Sequence, residues 1–181
     1  MPISPEAMKL VLLVPLAVVV IYYDVRYRRI PNVIVLATLV AGLAINGSFG
    51  GMQGALGSVY GFGLAFLPML LMHIFGAMGA GDVKLFGAVG AVIGVGLVPM
   101  SFVLVVMLGG ALAVYSMVRA GMVFSTLHGV LRIFVGILPG WEMPRFRMAP
   151  DRKHTIPYGV AIMLGCLLAV AVSASRAGLF F

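Results

Sequence analysis

The chain alternates long apolar runs with short polar breaks. Runs of this length predict membrane-crossing helices, over about 7–23, 31–46, 54–76, 83–98, 100–118 and 155–174. Pro31 opens the second helix, where its missing N–H costs nothing. Asn46-Gly47-Ser48 and Gly50-Gly51 form the polar turn before the third helix. Pro68 lies within the third, where a bundle tolerates it as a kink. Residues 83–118 are almost continuously apolar. One helix of that length would overshoot a bilayer, so Gly94, Gly96 and Pro99 are read as a break. The fold expected is an all-α polytopic membrane protein with about six transmembrane helices, in a single domain over 1–181.

Residues 119–153 hold most of the remaining polarity and form a basic loop. Within it Ser125, His128, Gly129, Arg132 and Gly136 recur at helical spacing, with Phe124, Leu127, Leu131, Phe134, Val135 and Leu138 between them. The pattern predicts an amphipathic segment near 122–138 lying in the membrane interface, with a hairpin dipping into the bundle as the alternative. Trp141, after Pro139-Gly140, suits the headgroup level. The chain shows no internal repeat.

Composition sharpens this picture. The chain is 62% hydrophobic and 9% charged, far from the quarter or so of charged residues in a soluble domain. Its net charge of +7 does not require a nucleic-acid partner, because cytoplasmic loops of membrane proteins carry excess Lys and Arg. If the first helix runs from outside to inside, the inner loops hold Arg26, Arg28, Arg29, Lys84, Arg119, Arg132, Arg145, Arg147, Arg152 and Lys153. Only Lys9 and Arg176 remain outside, which places both termini outside. The first helix reads as retained rather than cleaved. Glu6 offsets Lys9 before the apolar core, and the basic stretch 24–29 follows it in place of a small-residue cleavage site. The single cysteine, Cys166, allows neither a disulfide nor a cysteine-based zinc site and reads as a small buried hydrophobe. The 13 methionines read as core filler.

Candidate chemistry rests on five acids. Glu6 lies in a polar tail, and Glu142 and Asp151 sit in the basic loop beside Arg145 and Arg152. Asp24 and Asp82 stand instead at junctions between an apolar helix and a short loop, where an ionisable group is costly. Two helices separate them, so parity puts both on the inner face. Two carboxylates at one site share a proton, as in the aspartic proteases. The ionised member can take a proton from water that attacks a peptide carbonyl, while the protonated member donates to the carbonyl oxygen. Which aspartate is the acid is left open, since the titration belongs to the pair. A plainer role is also open, with Asp24 paired to Arg26 or Arg28 and Asp82 to Lys84 as interface anchors. A Mg²⁺ or Ca²⁺ site is a third reading, although no further acid or histidine sits close by in sequence. His73 reads as a packed or interface histidine, with support of the acids as the alternative. No metal and no cofactor is expected.

Asp24-Val25-Arg26-Tyr27-Arg28-Arg29-Ile30-Pro31-Asn32 resembles the first motif of the prepilin peptidases, and Gly79-Ala80-Gly81-Asp82-Val83-Lys84 resembles their Gly-x-Gly-Asp-x-Lys box. Ile156-Pro157-Tyr158-Gly159, opening the last helix, is similar to a third piece of that family. Gly-x-Gly-Asp alone is shared by presenilin-like proteases; three motifs in order over 24–159 are more specific. The resemblance implies a membrane aspartic endopeptidase that removes the basic leader of type IV prepilins at the cytoplasmic face of the bacterial inner membrane. It implies Asp24 and Asp82 as the catalytic pair, and Gly79, Gly81, Lys84, Arg26, Pro31 and Asn32 as residues that shape the loops or meet substrate. The implied partners are a prepilin, with a basic leader before a hydrophobic helix, and the lipid bilayer. The paired cysteines of the longer members' N-terminal zinc domain are absent, so methylation of the new N-terminus is not expected. The length and the Ile-Pro-Tyr-Gly piece are similar to the short peptidases of tight-adherence (Flp-type) pili. A non-enzymatic scaffold of pilus assembly and a presenilin-like intramembrane protease are the alternatives. The oligomeric state is not encoded in any of these features.

Overall fold

The computed structural model describes residues 5–76, 78–119 and 158–176. The amphipathic segment expected near 122–138, Trp141 and most of the basic loop fall outside the described residues. Those described form helices and no strands: α1 (Pro5–Tyr27), α2 (Asn32–Ile74), α3 (Ala80–Ile93), α4 (Val98–Arg119) and α5 (Tyr158–Arg176). Four of them, all but α3, are long and apolar enough to cross a membrane. With only 14 residues, α3 is about 21 Å long at 1.5 Å per residue, well short of a bilayer core of about 30 Å. The expected six segments are therefore met as four such helices, one of them doubled, and a short fifth enclosed by its neighbours.

The doubled helix is α2. Gly51 has φ 57° and ψ −140°, a backbone region open essentially to glycine, and there the helix folds back on itself. Helix continues through Asn46, Gly47 and Ser48, which the sequence pattern places in a turn. The reason is that the Asn46 amide is satisfied inside the bundle and Ser48 on its own helix. Asn46 Nδ2 donates to Ser58 Oγ at 2.8 Å and to the Ala91 and Val92 carbonyls at 2.9 and 3.1 Å. Ser58 Oγ donates to Gly42 O, and Ser48 Oγ donates back to Ala44 O. The two arms of α2 thus lie antiparallel, stapled to each other and to the last turn of α3. Pro31 is the residue before α2, not its first turn: its ψ of 132° is extended, and its carbonyl accepts from Ile34 N.

The α3 helix is clasped between the α2 arms at backbone contact. A Cβ on Gly42 would lie 2.8 Å from Val92 N, one on Gly90 2.6 Å from Ala65 Cβ, and one on Gly61 would strike the Gly90 carbonyl oxygen. Small residues that let backbones approach this closely drive helix association in lipid, where apolar burial alone gives no preference for protein over acyl chain. From Leu85 to Ile93 every residue of α3 is buried. Gly94, at φ 79°, ends it, and the break expected at Gly94–Pro99 is found there, with Val95 N donating to Gly57 O. On the other side α4 and α5 run antiparallel, with Gly165 against Val105 and Tyr158 over Gly109. Because Tyr158 meets Gly109, the last ten residues of α4 extend past the start of α5 by about 15 Å.

One charged residue lies deeper than the sequence pattern indicates. Lys9 is buried, pairs with Glu6 at 3.3 Å and donates to the Ile93 carbonyl at 3.3 Å. It caps the C-terminus of α3, where a cation offsets the negative end of the helix dipole. Gly61→Ala should therefore destabilise the fold by about 1–3 kcal/mol, read as a lower unfolding temperature in detergent. Gly57→Ala, which meets nothing within 4 Å, should instead gain about 0.5–1 kcal/mol.

Candidate functional site

At the end of the bundle away from Lys9, three helix termini converge: the C-terminus of α1 and the N-termini of α3 and α5. Asp24 and Asp82, 58 positions apart, stand there close enough for the charge of Asp24 to act on Asp82.

Asp24 sits in the last turn of α1 and is buried. The helix ends at Arg28, whose φ of 51° is left-handed, a conformation common just past a helix C-terminus and uncommon for a residue with a side chain. Arg28 N donates to Asp24 O at 3.1 Å, and the charge of Arg28 acts on the Asp24 carboxylate. Arg26 is exposed, so of the two basic partners expected it is Arg28 that the fold turns toward Asp24. The carboxylate also faces the first turn of α5. A Cβ on Gly159 would lie 2.7 Å from Oδ2 and 3.1 Å from Cγ, and the N–H groups of Gly159 and Val160 donate toward the carboxylate. Oδ2 itself is buried without a hydrogen-bond partner.

Asp82 is the third residue of α3, whose N-cap is Gly79. The Gly79 N–H donates to its carboxylate, the reach-back of a capping box, in which an acid at the third position satisfies the N-cap amide. Gly79 has little space for a side chain, since its Cβ would lie 3.1 Å from Asp82 Oδ2. Gly81 differs: its Cβ would meet only Ile30 Cβ at 4.0 Å, so nothing in the described fold requires glycine there. Burial, and next the charge of Asp24, push Asp82 up to about 7; the Gly79 amide opposes both. A group so shifted holds its proton up to near neutrality, as one member of a shared-proton pair does.

The surroundings brace the Gly79 turn. His73, in the last turn of α2, places Nδ1 2.8 Å from the Met78 carbonyl. A carbonyl only accepts, so Nδ1 carries the hydrogen. Lys84 is exposed and reaches Asn32 Oδ1 at 3.5 Å, a weak contact that links α3 to the start of α2 near Pro31. Tyr158 completes the rim, its phenol within electrostatic reach of Asp82. The roles of Tyr158 and Gly159 beside the acids do not follow from spacing; the only signal was their place in the third motif.

This is an all-α membrane protein with two interacting carboxylates gathered at one end of its bundle. Its sequence matches the model of the type IV leader peptidase family over residues 11–114, and the chain belongs to that family. It is also similar to a prepilin leader peptidase/N-methyltransferase of Bacillus subtilis (strain 168), 34% identical over 170 residues, or 92% of this chain and 56% of the relative. The chain thus spans little more than half the length of that relative. No solved structure matches it.

The shift at Asp82 carries a sign for stability. With a folded value of about 7 against 3.8 unfolded, ionisation disfavours the native state increasingly between pH 4 and 7, and fully above 7. Asp82→Asn should unfold at a higher temperature than the native chain at pH 8. At pH 4 the two should coincide, by thermal unfolding in detergent. Equal stability at both pH values would mean that the carboxyl is not perturbed.

Proposed function

We propose that the chain is an aspartic endopeptidase that removes the basic leader from type IV prepilins of the Flp type, with Asp24 and Asp82 as its catalytic pair. The observation that carries this reading is the meeting of these two carboxylates at one end of the bundle, with a raised Asp82. Among the described residues Arg26, Arg28, Arg29, Lys84 and Arg119 lie at this end and Lys9 and Arg176 at the other, a distribution that supports a cytoplasmic site in the inner membrane with both chain ends outside.

In the reaction one carboxylate takes a proton from water as the oxygen bonds to the scissile carbonyl carbon. The other gives its proton to the carbonyl oxygen. Collapse of the tetrahedral intermediate breaks the C–N bond, the leaving amine receives the proton taken from water, and the donor carboxyl recovers its own. A site at a helix junction suits a prepilin, whose hydrophobic helix can stay in the bilayer while the leader reaches the acids at headgroup depth. Gly79 and Gly81 leave backbone beside Asp82 open to the extended substrate, and Lys84, Arg26, Pro31 and Asn32 shape the rim. The exposed basic residues meet anionic headgroups, at about 1 kcal/mol each near the surface.

Asp24→Asn and Asp82→Asn should each insert normally and reduce leader removal from a co-expressed prepilin at least about 10³-fold, below detection on a gel-shift assay. Normal processing by either variant would sink the two-aspartate mechanism and favour a scaffold. In a second test, replacing the prepilin glycine before the cut should block cleavage. Indifference to that residue would point to an intramembrane protease of the presenilin kind.

A further inference from the structure

The peptide bond between Met78 and Gly79 is gripped from both sides. His73 Nδ1 donates to its carbonyl oxygen at 2.8 Å, and its N–H donates to the Asp82 carboxylate. A trans peptide is planar, with C=O and N–H pointing in opposite directions, and no cis bond occurs among the described residues. Whatever fixes the carbonyl therefore aims the N–H. Hydrogen bonds at the two ends of one amide also polarise each other, so each strengthens its counterpart. The flanking residues differ in what they fix. Met78 is buried in the hydrophobic core, which anchors the Cα before the bond. Gly79, after it, is extended at φ −74° and ψ 145°, and a glycine by itself does little to stop the plane from turning. His73 holds the same loop through its main chain as well: its carbonyl accepts from Gly76 N at 2.8 Å, where Gly76, at φ 77°, turns the chain at the end of α2. Nδ1 carries a hydrogen in the charged ring and in the neutral tautomer that the carbonyl selects. The grip survives either state of the histidine.

Resting on Asp82 as one of the reacting pair, we infer that His73 is a positioning residue that orients Asp82 through the Met78–Gly79 peptide. The imidazole fixes the carbonyl, the rigid plane carries that direction across the bond, and the Gly79 N–H holds the carboxyl in one orientation. The residue that sets the aim of Asp82 thus lies at the end of α2, nine positions before it in sequence.

The test uses the fact that Met-Gly occurs once in the chain. Carbonyl-¹³C methionine with ¹⁵N glycine labels this one peptide, and the Gly79 amide proton shift reads its bond to Asp82 in the full chain in detergent. His73→Phe keeps a ring and removes the donor, and should move that signal upfield. His73→Asn, whose side-chain N–H can stand where Nδ1–H does, should restore it. In prepilin cleavage His73→Phe should lower kcat about 10- to 10²-fold and leave KM within about twofold, and His73→Asn should recover most of that loss. His73→Leu takes the place of the phenylalanine variant if that one fails to fold. A folded donor-free variant whose Gly79 signal stays native overturns the inference outright. A signal that moves while kcat stays native overturns the positioning role, and so does a loss of kcat that His73→Asn does not recover. A native chain whose Gly79 signal responds as expected but which never cleaves prepilin overturns the peptidase reading instead, and leaves the link from His73 to Asp82 standing.

Discussion

The close approach of α3 to the two arms of α2 governs the rest of the structure. Lipid offers apolar side chains as good a solvent as protein does, so a helix too short to cross the bilayer must be held by contact density and by polar groups. Here Gly42, Gly61 and Gly90 bring backbones together, and Asn46 reaches the carbonyls at the far end of α3. Removing the side chains at these positions costs helix propensity in isolation. In the bundle it permits contacts that no larger residue could make.

That clasp also explains how a carboxylate comes to be half-buried at a helix start. Asp82 is fixed by the helix that carries it, and α3 is held at both ends. Lys9 caps its last turn, while the Gly79 turn is tied through Met78 to His73. Asp24 is fixed differently, by the meeting of the end of one helix with the start of another. Two acids with unlike supports can therefore occupy unlike environments although they share one site.

Much of this is legible in the residues. The apolar runs are separated by glycine, proline and charge, and the described helices follow those runs, except that α2 continues through the turn expected at 46–48. Parity alone placed Asp24 and Asp82 at the same end. What could not be read is contact specific to the tertiary fold. Asn46 looks like a turn residue because its amide partners lie about 45 positions away. Lys9 looks like a solvated flank because the carbonyl it caps is 84 positions distant. Arg28, not Arg26, turns toward Asp24 because the helix ends in a left-handed residue, a local choice that charge counting does not see. Gly159 lies far from both acids in sequence, and only packing gives it a reason.

The pinning of α3 at both ends has a mechanical meaning. With no proline and no break between Ala80 and Ile93, the helix moves as one body of about 20 Å. Its anchored far end thus acts as a depth stop. Any slide of α3 along its axis would have to stretch the Lys9 contact before it could shift Asp82. A carboxylate held at constant depth defines a plane, and on the proposed reading a polypeptide already threaded through the bilayer is measured against that plane.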